Sequence, residues 1–197
     1  MSDGYYTLIA DPDRLRAFID WLPALAQGEV FHVSLMARDK YATPGSRLRG
    51  TVQLCCFTAT QEHFYEKIAQ LACPLGSYTF QGEAMPQAAL ALYINPNPRS
   101  LERAAKQSLI CLAERITQPY DGYNPHSEVL TEVQKAVSRK LYFDLDFDGV
   151  SPEDLMPRIL AHIDPDCLHV LRTRGAFTFS SNWPASRPHA GQAGTRP

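Results

Sequence analysis

Leu141-Tyr142-Phe143-Asp144-Leu145-Asp146-Phe147-Asp148-Gly149, then Ser151-Pro152-Glu153-Asp154 and, further on, Val170-Leu171-Arg172-Thr173-Arg174-Gly175, are the residues on which the fold turns. Apolar residues alternate with acids from Leu141 to Phe147, as expected of a strand. The two-residue period of a strand puts Asp144, Asp146 and Asp148 on one face and Leu145 and Phe147 on the other. Three like charges on one face repel, and the arrangement persists where cations or basic side chains neutralise it. Hard divalent ions, Mg²⁺ or Mn²⁺, take oxygen donors of this kind. The same residues also read as a strand end reaching solvent, with Asp148-Gly149 opening a turn. Ser151 to Asp154 form a capping box with Pro at the first turn. The helix they start carries Leu155, Ile159, Leu160 and Ile163, and a second strand is expected over Cys167–Arg172.

Upstream, helices and strands alternate. Asp11-Pro12 starts a helix whose apolar positions are Leu15, Phe18, Ile19, Leu22 and Leu25, stopped by Gly28. Glu29–Arg38 and Thr51–Thr58 are β-rich and are expected to pair as a hairpin. The loop between them carries Lys40, Arg47 and Arg49, with Arg38 just before it. A helix from Thr60 to about Ala72, a short strand at Tyr78–Gln81 and a buried strand at Ala88–Asn95 follow. Asn95-Pro96-Asn97-Pro98-Arg99 then reads as a rigid connector, or as a helix N-terminus facing a ligand. Helices are expected over Arg99–Ile116, with Leu101, Ala105, Leu109, Leu112 and Ile116 as one inward stripe, and from Asn124-Pro125, with Val129, Leu130, Val133 and Val137 inward. The fold class is α+β, with mixed sheets flanked by helices.

Composition narrows the function. The 197 residues carry 45 % hydrophobic side chains, enough for a real core, and 19 Lys+Arg against 21 Asp+Glu. With a net charge of −2 there is no global basic excess for coating nucleic acid, which leaves only local patches. No apolar run reaches the ~18 residues of a membrane span. The N-terminus has no signal-peptide shape, so a cytoplasmic protein is expected. The five cysteines are Cys55, Cys56, Cys73, Cys111 and Cys167. Their number is odd and they lack C-x-x-C spacing, which makes them apolar fillers. His32, His63, His126, His162 and His169 show no metal-ligand spacing. Arg38, Lys40, Arg47 and Arg49 are candidate nucleic-acid contacts or a solvated loop, and Tyr41 adds one aromatic for base stacking.

Three families use a string like that around Asp146. An EF-hand loop needs a bidentate Glu at its twelfth position, which here is Leu155. Asp146-Phe147-Asp148-Gly149-Val150 resembles the nucleophile loop of haloacid-dehalogenase-type phosphatases, with Asp146 as nucleophile. No lysine follows Gly149 to steady a phosphoryl group. The third resemblance is to the archaeo-eukaryotic primase superfamily, the primase-polymerases. Leu141–Asp146 is similar to their h-D-h-D strand, the helix from Ser151 to their connection, and Val170–Gly175 to the start of their [ST]-x-G-G-x-H motif.

The resemblance implies a DNA or RNA primase-polymerase, a nucleotidyltransferase from a phage- or plasmid-type replication system. Asp144 and Asp146, with Asp148, would hold two Mg²⁺ or Mn²⁺ ions. Arg172, Thr173 and Arg174 would contact nucleotide phosphates. The implied partners are nucleoside triphosphates, a template-primer and a replicative helicase, with no membrane. A non-catalytic replication protein that binds nucleic acid is the alternative reading, and a phosphatase using Asp146 the third. One departure stands out: Ala176-Phe177-Thr178 follows Gly175 where the family has Gly, an apolar residue and His. One DNA string compatible with Arg174 onward, given a single extra G after the Gly175 codon, translates as Arg-Gly-Gly-Phe-His-Val-Leu-Val-Gln-Leu. The expectation is therefore a primase-polymerase domain over 1–175, truncated or frameshifted after Gly175, with 176–197 a disordered tail.

Overall fold

The structure is a computed structural model. It describes residues 4–147, 150–165, 168–172 and 177–182; for 143–147, 152, 169–172 and 177–182 the description is of the backbone. The sequence reading took 1–175 as one domain. By its internal contacts the chain divides into two compact units, Met1–Arg139 and Lys140–Pro197.

The first unit is organised around β1 (Glu29–Arg38), whose run EVFHVSLMAR is almost continuously buried. Such a strand must be covered on both faces, which fits its apolar character. It pairs antiparallel with β2 (Thr51–Ala59) on one side and β5 (Leu90–Ile94) on the other. The β1–β2 hairpin has the expected pairing, with a register shift at Leu35/Met36 that leaves Leu54 without a partner on β1. On one face Phe31 and Val33 pack against Ile19 of the N-terminal helix, Leu22 just after it, and Phe64 and Ile68 of the next helix. Phe31 meets Phe64 edge-on, with centroids 5.8 Å apart. Further along, Leu35 and Ala37 join Tyr6, Leu48, Met85 and Leu90.

The helices of this layer are α1 (Pro12–Trp21) and α2 (Gln61–Ala69). Asp11 caps α1 by accepting from the Arg14 amide at 3.0 Å. The helix ends at Trp21 and does not reach Leu25, because Pro23 disfavours helical dihedrals at Leu22. The Gln61 side chain donates to the Leu22 carbonyl at 3.0 Å, satisfying that frayed end. After α2 come a two-stranded ribbon, β3 (Thr79–Phe80) with β4 (Glu83–Ala84), and a single 3-10 turn over Gln87–Ala89. The turn shortens the expected Ala88–Asn95 strand to β5, which is only partly buried.

Arg99 does not start a helix as the sequence suggested. Pro96 and Pro98 hold the chain extended, and β6 (Arg99–Ser100) pairs with Val30 and Glu29 of β1. Ser100 then caps α3 (Leu101–Ile116), accepting from the Arg103 amide at 3.2 Å. Helix α4 (Pro125–Lys135) packs against α3. The contact runs through Ala104, Val133 and Val30, not through the expected stripe. Leu101, Leu109 and Ile116 are exposed, Leu109 by 71 %. The small Ala104 and Ser108 form the buried face of α3 and leave the bulkier residues beside it uncovered. On α4, Val133 is buried but Val129 is exposed.

In the second unit β7 (Tyr142–Phe147), α5 (Pro152–Leu160), β8 (Leu168–Arg172) and β9 (Phe177–Asn182) follow one another. The sheet order is β7-β9-β8, antiparallel throughout. The strand, helix and second strand stand where the sequence put them. The segment read as a tail from 176 contributes β9, its Phe177-Thr178-Phe179 start being β-prone, while 183–197 lie outside the described residues. Ser151 caps α5, accepting from the Glu153 amide at 3.2 Å. Leu155 and Ile159 are buried against Met156, Ile163 and Leu168. Leu160, expected inward, is exposed. Among the described residues no helix is long and apolar enough to cross a membrane.

Candidate metal and nucleic-acid sites

Asp144 and Asp146 occupy alternate positions of β7, and the pairing assigns each a row across the sheet. Asp144 opposes Ser180, and Ser180 opposes His169; Asp146 opposes Thr178, and Thr178 opposes Leu171. The two carboxylate positions are therefore flanked on β9 by two hydroxyl residues, and both kinds of group are oxygen donors suited to hard divalent ions. Arg172 falls in the next row, with Phe177 and Phe147, which the two-residue period of a strand assigns to the sheet face opposite Asp144 and Asp146, so the register does not bring it together with them. Asp148, Thr173 and Arg174 lie outside the described residues.

The basic residues picked from the β1–β2 loop separate into different roles. The loop is built by its own hydrogen bonds. The Asp39 amide donates to the Gly50 carbonyl at 2.9 Å and the Gly50 amide to the Asp39 carboxylate at 2.7 Å. Gly50 takes φ +71°, a left-handed conformation that glycine adopts without strain. Leu48 is fully buried and fixes the loop to the core. The Arg47 amide donates to Glu83 at 2.9 Å. Arg49 donates to the carbonyls of Ser46 and Leu48 at 2.7 and 2.9 Å, so its guanidinium braces the loop itself. A hollow of about 410 Å³ opens here, lined by Lys40, Pro44, Gly45 and Arg49 among others.

Arg38 and Lys40 belong to an aromatic cluster. Tyr41 has the Arg38 guanidinium 5.7 Å and the Lys40 ammonium 5.1 Å from its ring centre. Arg38 also lies 5.9 Å from the ring of Tyr93 on β5. Cations over tyrosine faces are attracted by the ring quadrupole. Tyr93, 41 % exposed, was missed in the sequence because it stands in a segment read as a buried strand. Its row is Cys56–Ser34–Tyr93, and the neighbouring row is Gln53–Met36–Ala91. Gln53 and Tyr93 are exposed and Met36 and Arg38 half-buried, while Ser34 and His32 on the same side are buried, so solvent reaches this side only around Tyr93, Gln53 and Arg38.

Two further groups on that side were read differently in the sequence, His32 as one of the histidines without metal-ligand spacing and Arg99 as part of the Asn95–Arg99 connector. His32 and Arg99 are 4 % and 5 % exposed, and neither His32 Nε2 nor Arg99 Nε has a hydrogen-bond partner. Burial, then the nearby Arg99 charge, pushes the His32 pKa down, and burial lowers that of Arg99. Glu29, paired with Ser100 beside Arg99, is already engaged: Arg139 donates to its two oxygens at 3.0 and 2.6 Å. Set against family models, curated proteins and solved structures, the chain matches none of them.

Proposed function

We propose that the chain is a primase-polymerase-type nucleotidyltransferase module that works on nucleic acid with two divalent ions. The observation that carries this reading is the β7–α5–β8–β9 arrangement, with Asp144 and Asp146 on β7 and β9 as its direct neighbour. Position 178, which the restored reading frame would fill with histidine, is the register partner of Asp146. Asp144 and Asp146 would hold Mg²⁺ or Mn²⁺, which on binding supplies the charge neutralisation that phosphoryl transfer needs. Asp148 extends the acidic set, and Thr173 and Arg174 are the phosphate contacts proposed from the resemblance, guanidinium forks matching phosphate oxygens, while Arg172, whose row belongs to the other face of the sheet, is left out of that role. Lys40, Arg38 and Tyr41 contribute a cationic, aromatic patch for the template strand. The substrates are nucleoside triphosphates on a template-primer, a replicative helicase is the proposed partner, and the setting is the cytoplasm, where Cys55, Cys56, Cys73 and Cys111 stay as the free thiols seen here.

One observation favours the non-catalytic variant of this reading: the partner of Asp146 is Thr178, which lacks the imidazole the motif would supply. A phosphatase reading is weaker, since β7 pairs antiparallel and not within the parallel sheet such enzymes use. The decisive measurement is a thermal melt with manganese and a nucleoside triphosphate. The wild type is expected to gain several degrees at saturation, and an Asp144→Asn/Asp146→Asn double variant none. A wild-type melt unmoved by manganese overturns the metal reading. Incorporation of labelled nucleotide then separates the enzyme from the binding protein, and the genomic sequence around codon 175 settles the frame.

A further inference from the structure

A surface helix normally turns its apolar stripe to the core and its polar side to water. Helix α3 departs from this. Its buried side is Ala104 and Ser108, while Leu101, Ala105, Leu109, Leu112 and Ile116 form a second stripe about 80° further round the helix. Leu101 is 41 %, Leu109 71 % and Ile116 72 % exposed; Ala105 is exposed and Leu112 half-buried. No charged residue interrupts the stripe, and Glu102 and Lys106 beside it are paired with each other at 2.6 Å. These side chains leave roughly 400 Å² of apolar surface open, within the range at which a patch marks an interaction site. With the polar rim that accompanies an apolar centre, two copies of this surface bury about 1,200 Å² in all, the lower end of specific interfaces.

The order of the residues points to what covers the stripe, because it reads the same from both ends. Counted from a midpoint between Ser108 and Leu109, Leu101 falls with Ile116 and Ala105 with Leu112, and Leu109 stands at the centre. A covering element of unrelated sequence places no such demand. A two-fold axis does, since residue i must fit residue j and j must fit i. In an antiparallel pair of α3 helices Ala105 receives Leu112 near the crossing, small against large, and Leu101 meets Ile116 where the helices draw apart. We propose that two copies of the chain associate through α3, packed antiparallel about a two-fold axis at Leu109. An interface of this size is of the weak kind, with a dissociation constant of roughly tens of micromolar, and dilute solutions hold the monomer. This inference depends on neither the metal nor the nucleic-acid reading.

The test is sedimentation equilibrium of the full chain at concentrations from about 1 to about 200 µM. Wild type is expected to pass from monomer to dimer across this range. Leu109→Glu should stay monomeric throughout and, when dilute, melt as wild type does, since the position is exposed in the single copy. A wild type that is monomeric at every concentration overturns the proposal, as does a Leu109→Glu chain that still dimerises. So does a Leu109→Glu chain that melts several degrees lower when dilute, because the leucine is then covered within its own copy. Cross-linking reads the orientation, with wild type as the control for the native thiols. Leu109→Cys should give a disulfide-linked dimer on mild oxidation, because the axis sets position 109 beside its copy. Ile116→Cys should not, because antiparallel packing holds the two copies of position 116 about 20 Å apart. A Leu109→Cys chain that forms no more linked dimer than wild type, or an Ile116→Cys chain that links readily, overturns the antiparallel pair.

Discussion

Glu29 shows how one residue can secure a junction. Arg139 donates to both of its oxygens, Ser138 donates at 2.5 Å, and Arg139 also reaches the Ala24 carbonyl at 2.8 Å. The Arg139 hydrogen bonds lead the causes that hold the Glu29 pKa down at about 2, against an ordinary 4.5. A carboxylate whose folded pKa is depressed contributes stability that is complete above the unfolded value and disappears as pH falls through the folded one. Its contribution therefore fades between pH 4.5 and about 2. Glu29→Gln is expected to cost about 2 kcal/mol at neutral pH, discounted for the half-exposed Arg139. Urea titrations of both proteins should show that difference shrinking as the pH is lowered from 5 towards 2. A difference independent of pH would mean that the carboxylate charge is not what matters.

At the scale of elements, the sequence was most readable where hydrogen bonding and burial agree. The strand Glu29–Arg38 is apolar throughout and sits at the centre of its sheet, and Asp11, Asn124 and Ser151 cap the helices they were expected to cap. The pattern around Asp144 and Asp146 marked a strand, and a strand is there. The apolar period of α3 misled, because periodicity records which residues share a side and not which side is covered. Small residues decide that here: Ala104 and Ser108 allow the close approach, so the leucines flank the contact. Leu109→Ala is accordingly expected to change stability by no more than about 0.5 kcal/mol, the range for surface positions, where a buried leucine would cost about 2–5. Chemical denaturation distinguishes the two. Tyr93, His32 and Arg99 were not legible as a set, because it takes the register of three strands to bring them to one face.

For the whole molecule, the first unit carries its own two cores around β1, one closed by α1 and α2 and the other by Tyr6, Leu48 and Met85. A fragment ending at Arg139 retains both and keeps the Glu29 clamp. It should melt cooperatively and ignore manganese, while the full chain responds to it; differential scanning calorimetry of the two proteins checks this. A fragment without a cooperative transition would show that the first unit needs the remainder to fold. Within that unit, Leu48 has a wider consequence. By planting one leucine in the interior, the hairpin connection is tethered close to its β2 end while Lys40 and Arg47 are exposed. The tips of that connection are free to exchange one charge for another across a lineage, retuning what the protein touches without disturbing the scaffold beneath.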